Sequence, residues 1–243
     1  MYSTPHDEVP QDVAERLART RARIDDAARR FGRDPQSITL LAVSKTQPAM
    51  RLREAWQAGQ RCFGESYLQE ALNKLHALED LPAQWHFIGP IQANKTKAIA
   101  ENFDWVHSID RLKIARRLND QHPAGRAPLQ VCLQVNISGE PSKSGATREQ
   151  LGELAAGVQG LPALRLRGLM TLPAPSGDFE AQRRPFRELR EALEALNRQG
   201  LALDTLSMGM SGDLEAAIAE GATVVRVGTG IFGPRRTGAP HLR

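Results

Sequence analysis

Residues 223–243 read TVVRVGTGIFGPRRTGAPHLR: a short apolar run of β character, a glycine-rich segment, and little else before the chain stops. Seven similar runs precede it, at 38–46 (ITLLAVSKT), 61–65, 84–89, 105–110, 129–137, 164–172 and 205–209. Between them lie helical patterns at 49–58, 67–78, 96–102, 111–121, 148–158, 185–198 and 213–220. Strands that alternate with helices pair in parallel. Two architectures satisfy that pattern, a doubly wound open sheet and a (β/α)8 barrel. The ending decides between them: the eighth run has no full helix after it, and an extra amino-terminal helix at about 12–33 can occupy the place of the missing one. We therefore expect an α/β fold with a single TIM-type barrel over 1–243, with 1–9 and 237–243 as frayed ends. Pro185 fits the first position of the seventh helix, where its missing N–H costs nothing.

Composition narrows the function classes. The chain has 243 residues, 41% of them hydrophobic and 25% charged, the ordinary balance of a globular protein. No stretch approaches a membrane span, and the amino terminus lacks the basic start and apolar centre of a signal peptide, so a cytoplasmic protein is expected. Cys62 and Cys132 sit within apolar runs and read as core. A net charge of +4 raises the question of nucleic acid. Much of that charge is Arg16, Arg19, Arg21, Arg23, Arg29, Arg30 and Arg33, on the wet side of one helix whose other side carries Val13, Leu17, Thr20, Ile24, Ala27 and Phe31. With aromatic residues at 5% and no reading motif, nucleic acid binding is not expected.

In a barrel, chemistry belongs at the carboxyl ends of the strands. Lys45 closes the first apolar run, and apolar walls disfavour a charged amine, the usual setting for a lysine that attacks a carbonyl. A rim lysine that simply reaches water is the plainer reading of that segment, and both stay open. After the seventh run comes Ser207-Met208-Gly209-Met210-Ser211-Gly212-Asp213, and after the eighth Arg226-Val227-Gly228-Thr229-Gly230. Loops after strands seven and eight recurrently hold phosphate in barrels. GTGIFG (228–233) formally matches a dinucleotide fingerprint, but Pro234 follows and no further βαβ unit does, so the glycines are turns or part of a phosphate site. His76, His86 and His107 lack metal-ligand spacing, and no metal is expected. Glu65 and Asp110 end strands as carboxylates that could serve as bases or as helix caps.

Taken together, AVSKTQP (42–48), FGESYLQE (63–70), WHFIGPIQANK (85–95), VNISGEPSKSG (135–145), GLMTLP (168–173), LSMGMSGDLEAAI (206–218) and VRVGTGIFG (225–233) make the chain resemble the pyridoxal 5′-phosphate (PLP) homeostasis protein family, itself similar to the barrel domain of alanine racemase. The resemblance implies that Lys45 binds PLP as an aldimine, that Ser207, Gly228 and Thr229 hold its phosphate, and that Arg226 faces the pyridine nitrogen. It further implies a monomeric PLP carrier or buffer without robust catalysis, with PLP-dependent apoenzymes as acceptors. Ser66 stands where the family usually has Asn and is left out of the site. The alternative is a racemase-type enzyme, yet the second base of alanine racemase is a tyrosine of another domain, and Tyr2 and Tyr67 are the only tyrosines. A barrel enzyme for phosphorylated metabolites, with no use for an aldehyde at Lys45, is a third reading.

Overall fold

The structure is a computed structural model and describes residues 12–139 and 144–234. The expected frayed segments 1–9 and 237–243 lie outside the described residues. Eight parallel strands close into a barrel in sequence order: β1 (Thr39–Val43), β2 (Cys62–Glu65), β3 (Gln84–Phe87), β4 (Trp105–Ile109), β5 (Leu129–Gln134), β6 (Leu164–Met170), β7 (Thr205–Ser207) and β8 (Val224–Val227). All eight apolar runs of the sequence supply a strand. The ring shuts where β1 pairs with β8, with Thr39 beside Val224 and Ala42 beside Val227. At Gly168, where β6 runs beside β7, an added Cβ would fall 1.8 Å from Thr205 O, so only glycine lets the two strands meet.

Helices α2 (Ala49–Gln57), α3 (Leu68–Ala77), α4 (Thr96–Asn102), α5 (Leu112–Gln121), α6 (Leu151–Gln159), α7 (Phe179–Arg198) and α8 (Leu214–Ala219) follow the first seven strands, and among the described residues only the four-residue α9 (Thr229–Phe232) follows β8. Helix α1 (Val13–Arg30) fills the vacant place, burying Val13, Leu17, Thr20, Ile24, Ala27 and Ala28 against its neighbours. The arginine side of α1 is not wholly solvated as the pattern suggests. Arg23 pairs with Glu215 of α8 and donates to Ser211 O, and Arg33, just past the end of α1, donates to Ile218 O and Ala222 O. These bonds stitch the first helix to the last turn of the ring.

Helix α7 also departs from expectation. It begins at Phe179, with the Asp178 carboxylate accepting from Ala181 N–H at 2.7 Å, so Pro185 lies inside the helix and not at its start. The cap sets the boundary. The apolar stripe of Phe186, Leu189, Leu193 and Leu196 is buried. Cys132 is buried and Cys62 only partly so. No helix among the described residues is long and apolar enough to cross a membrane, and no cluster of ligating side chains there could hold a metal ion.

Candidate functional site

At the carboxyl mouth, β1 ends at Val43 and Lys45 rides on the turn that follows, half-buried. That turn is held from both sides. Ser44 donates through Oγ to Glu65 Oε1 at 2.6 Å, while the Lys74 ammonium donates to Ser44 O at 2.7 Å and to Glu65 Oε1 at 2.8 Å. On the far side of Lys45, Thr46 N–H donates to Glu70 Oε1, which also pairs with Lys74. Thr46 sits at φ 65°, the one positive φ outside glycine among the described residues. A β-branched residue is strained there and stays only because its surroundings fix it. Burial pushes the Glu65 carboxyl above its ordinary range against the pull of Lys74 and Ser44, and its Oε2 is the one buried side-chain polar atom without a partner among the described residues.

Next to β1 stands β8, and Gly228 follows it so closely that an added Cβ would lie 3.1 Å from Val43 O. One residue on, Thr229 Oγ1 lies 3.4 Å from Ser211 Oγ in the loop after β7. The same loop bends at Gly209, φ 91°, and is fastened from below by Arg23 on Ser211 O and by Asp213, whose carboxylate takes Met210 N–H. Two hydroxyls and the backbone of two loops thus converge beside the turn that carries Lys45.

Arg226 is the third component. It is 3% exposed, and its guanidinium donates through Nη1 to Ser207 Oγ at 2.8 Å and through Nη2 to Thr171 O at 2.8 Å. Burial lowers its pKa to about 10, which leaves it a cation at neutral pH. No carboxylate among the described residues pairs with it directly. Beyond Ser207 the contacts continue: His107 Nδ1 lies 2.8 Å from Ser207 Oγ, His107 Nε2 lies 2.9 Å from His86 Nδ1, and His86 Nε2 lies 3.0 Å from Gln84 Oε1. Since β4 and β7 are not neighbours, this string crosses the barrel interior. Burial keeps both rings neutral, lowering the His86 pKa to about 3 and that of His107 well below the ordinary 6.5.

Of the residues singled out in the sequence, Lys45, Arg226, Gly228 and Thr229 gather at the joined ends of β8 and β1. Ser207 does not stand with Thr229: its hydroxyl is fully buried between Arg226 and His107, and Ser211 takes the place beside Thr229. Asp110 is engaged by Arg111 at 2.7 Å. Sequence reasoning weighed His86 and His107 only as metal ligands and Ser211 only as part of the loop after the seventh run, and gave none of them a place in the site. A signal was present for His86, because WHF repeats the pattern of VRV and LSM, a polar residue between apolar ones on a buried strand, and His107 holds the matching place after Val106 on the next strand. On a two-residue period such a residue faces the other way from its neighbours, here into the barrel.

The family model for the alanine racemase N-terminal domain matches residues 16–236. A pyridoxal phosphate homeostasis protein of Pseudomonas aeruginosa is 62% identical over 228 residues, 94% of this chain and 98% of that one. The chain belongs to the pyridoxal phosphate homeostasis protein family. A relative of the same name from Escherichia coli is 54% identical over 227 residues, 92% of this chain and 97% of that one. Among solved structures, PipY of Synechococcus elongatus PCC7942 with PLP bound aligns at a TM-score of 0.80 and 38% identity, over 91% of this chain and 100% of that chain. The family expected from the seven motifs is the one found.

Proposed function

We propose that this chain binds PLP covalently through Lys45 and serves to carry or buffer it in the cytoplasm as a monomer, without robust catalysis. One observation carries the reading: a buried guanidinium, Arg226, that meets only neutral acceptors, below a mouth that also presents a lysine amine and paired hydroxyls. A buried cation without a contacting carboxylate is costly unless an acceptor completes it. PLP offers the matching set, an aldehyde for Lys45, an unprotonated pyridine nitrogen for Arg226, and a phosphate for the loops bearing Ser211, Gly228 and Thr229. A solved relative with PLP bound supports the choice of cofactor. When bound, PLP supplies a reactive aldehyde carbon and a ring that withdraws electrons when its nitrogen is protonated.

Arg226, a cation, opposes that protonation, which favours holding over turnover. Racemisation also needs a base and an acid on opposite faces. Tyr67, the one tyrosine among the described residues, is half exposed at the start of α3. PLP-dependent apoenzymes are the acceptors we propose for released cofactor. Borohydride reduction of loaded protein followed by peptide mass spectrometry is the test: a pyridoxyl group on Lys45, lost in Lys45→Ala, is expected, and an adduct confined to another lysine would overturn the assignment. Chiral chromatography with L-alanine, with Lys45→Ala as blank, checks catalysis; sustained turnover would restore the racemase alternative.

A further inference from the structure

The string behind Arg226 has a direction. Arginine only donates, so Ser207 Oγ accepts from Nη1. At the other end Gln84 Oε1 accepts from Cys62 Sγ at 3.4 Å and faces His86 Nε2 at 3.0 Å, which places the hydrogen of His86 on Nε2. A neutral imidazole has one donor and one acceptor, so His86 Nδ1 accepts and His107 Nε2 carries the hydrogen of that ring. His107 Nδ1 is then the acceptor, and the only hydrogen of Ser207 points to it. Every dipole from Ser207 to Gln84 turns its negative end toward Arg226. Such strings polarise one another in a low dielectric and stabilise a cation without neutralising it.

We propose that His107, backed by His86 and Gln84, is a positioning residue for Arg226: by taking the Ser207 hydrogen it fixes that oxygen as an acceptor, and the aligned string stands where a counterion would. A carboxylate in that place would cancel the charge offered to the pyridine nitrogen. Asp213 acts on Arg226 only through space, so the string of neutral groups is what holds the guanidinium by contact and leaves its charge directed at the ring. The same arrangement spends the Ser207 hydrogen inside the barrel, so the phosphate falls to Ser211 and Thr229. This inference rests on the PLP reading given above, and its tests separate the two.

The first measurement uses the ligand-free wild-type protein. Two-bond nitrogen–hydrogen NMR correlations of the histidine rings should show His86 and His107 both as neutral Nε2–H tautomers at pH 7, and an Nδ1–H tautomer in either ring would overturn the proposal. The second compares two variants that differ in which ring nitrogen they imitate. In His107→Asn the amide oxygen takes the place of Nδ1 and can still accept from Ser207; in His107→Gln the amide imitates Nε2 and cannot. His107→Asn is expected to retain PLP about tenfold more tightly than His107→Gln, the scale of one charge-assisted hydrogen bond. Equal affinities in two folded variants would overturn the positioning role. If wild-type protein forms no pyridoxyl adduct at Lys45, the PLP reading fails instead, while the ring tautomers still report the polarity of the string.

Discussion

Ser207 and Ser211 are one helical turn apart in sequence and have different partners. Ser207 is enclosed by His107 and Arg226, whereas Ser211 reaches Thr229 at the mouth. Their alanine variants should therefore fail differently. Ser211→Ala is expected to weaken PLP by about 1 to 3 kcal/mol, the worth of a charge-assisted hydrogen bond, and to leave pyridoxal, which has no phosphate, nearly unaffected. Ser207→Ala loosens Arg226 and should weaken PLP and pyridoxal by similar factors. Equilibrium dialysis with both ligands distinguishes the two, and a phosphate-specific loss in Ser207→Ala would return that residue to the phosphate. The sequence made Lys45, Arg226, Gly228 and Thr229 legible as candidates because each lies near or just past the carboxyl end of a strand. It did not separate the two serines, since that depends on what lies across the barrel, and the His107 that claims Ser207 is 100 positions away.

The turn after β1 is an element with its own energetics. Lys74 of α3 is 6% exposed at its side chain and Glu65 not at all, so a cation removed there strands a buried carboxylate. Lys74→Met should destabilise the protein by about 3 kcal/mol, with most of the loss recovered in Lys74→Met/Glu65→Gln, where the only carboxylate deprived of Lys74 is the partly exposed Glu70. Urea unfolding of both decides; equal losses would mean that packing and not charge holds the turn. Thr46 offers the opposite change. Asparagine tolerates its φ of 65° better than a β-branched residue, and Thr46→Asn should gain about 1 kcal/mol, read in the same assay. Elements were legible wherever hydrophobic period and capping agreed. Helix α7 began earlier than expected because Pro185 resembles a start signal, while the true cap, Asp178, follows the loop 173–177, which has no periodic pattern to mark its end.

At the scale of the whole molecule, the neutral histidines couple stability to pH. An unfolded chain protonates His86 and His107 as pH falls below about 6.5, while the folded barrel does not, His86 holding out to about 3. Depressed pKa values of this kind contribute stability that is complete above 6.5 and lost as pH falls, about 1.4 kcal/mol per pH unit for each ring. Glu65, raised by burial, acts in the opposite sense. The difference between proteins is therefore the measurement: between pH 6 and 4.5, His107→Asn should unfold with a pH slope shallower by about 1.4 kcal/mol per unit than wild type. Identical slopes would mean that His107 is already charged in the folded state. The barrel itself was legible from eight runs and a missing last helix, though not the ties by which Arg23 and Arg33 of the amino-terminal segment grip α8 and its neighbours, since such contacts join residues nearly 200 positions apart. That closure also sets a clock on biosynthesis. Strand β1 leaves the ribosome roughly 180 residues ahead of β8, a wait on the order of ten to forty seconds at usual elongation rates. During that time one edge of β1, and the apolar side of α1, have no partner to cover them. A message truncated before Val224 would not yield a smaller barrel; it would yield a sheet open at both edges, the form most prone to pair with its own copies.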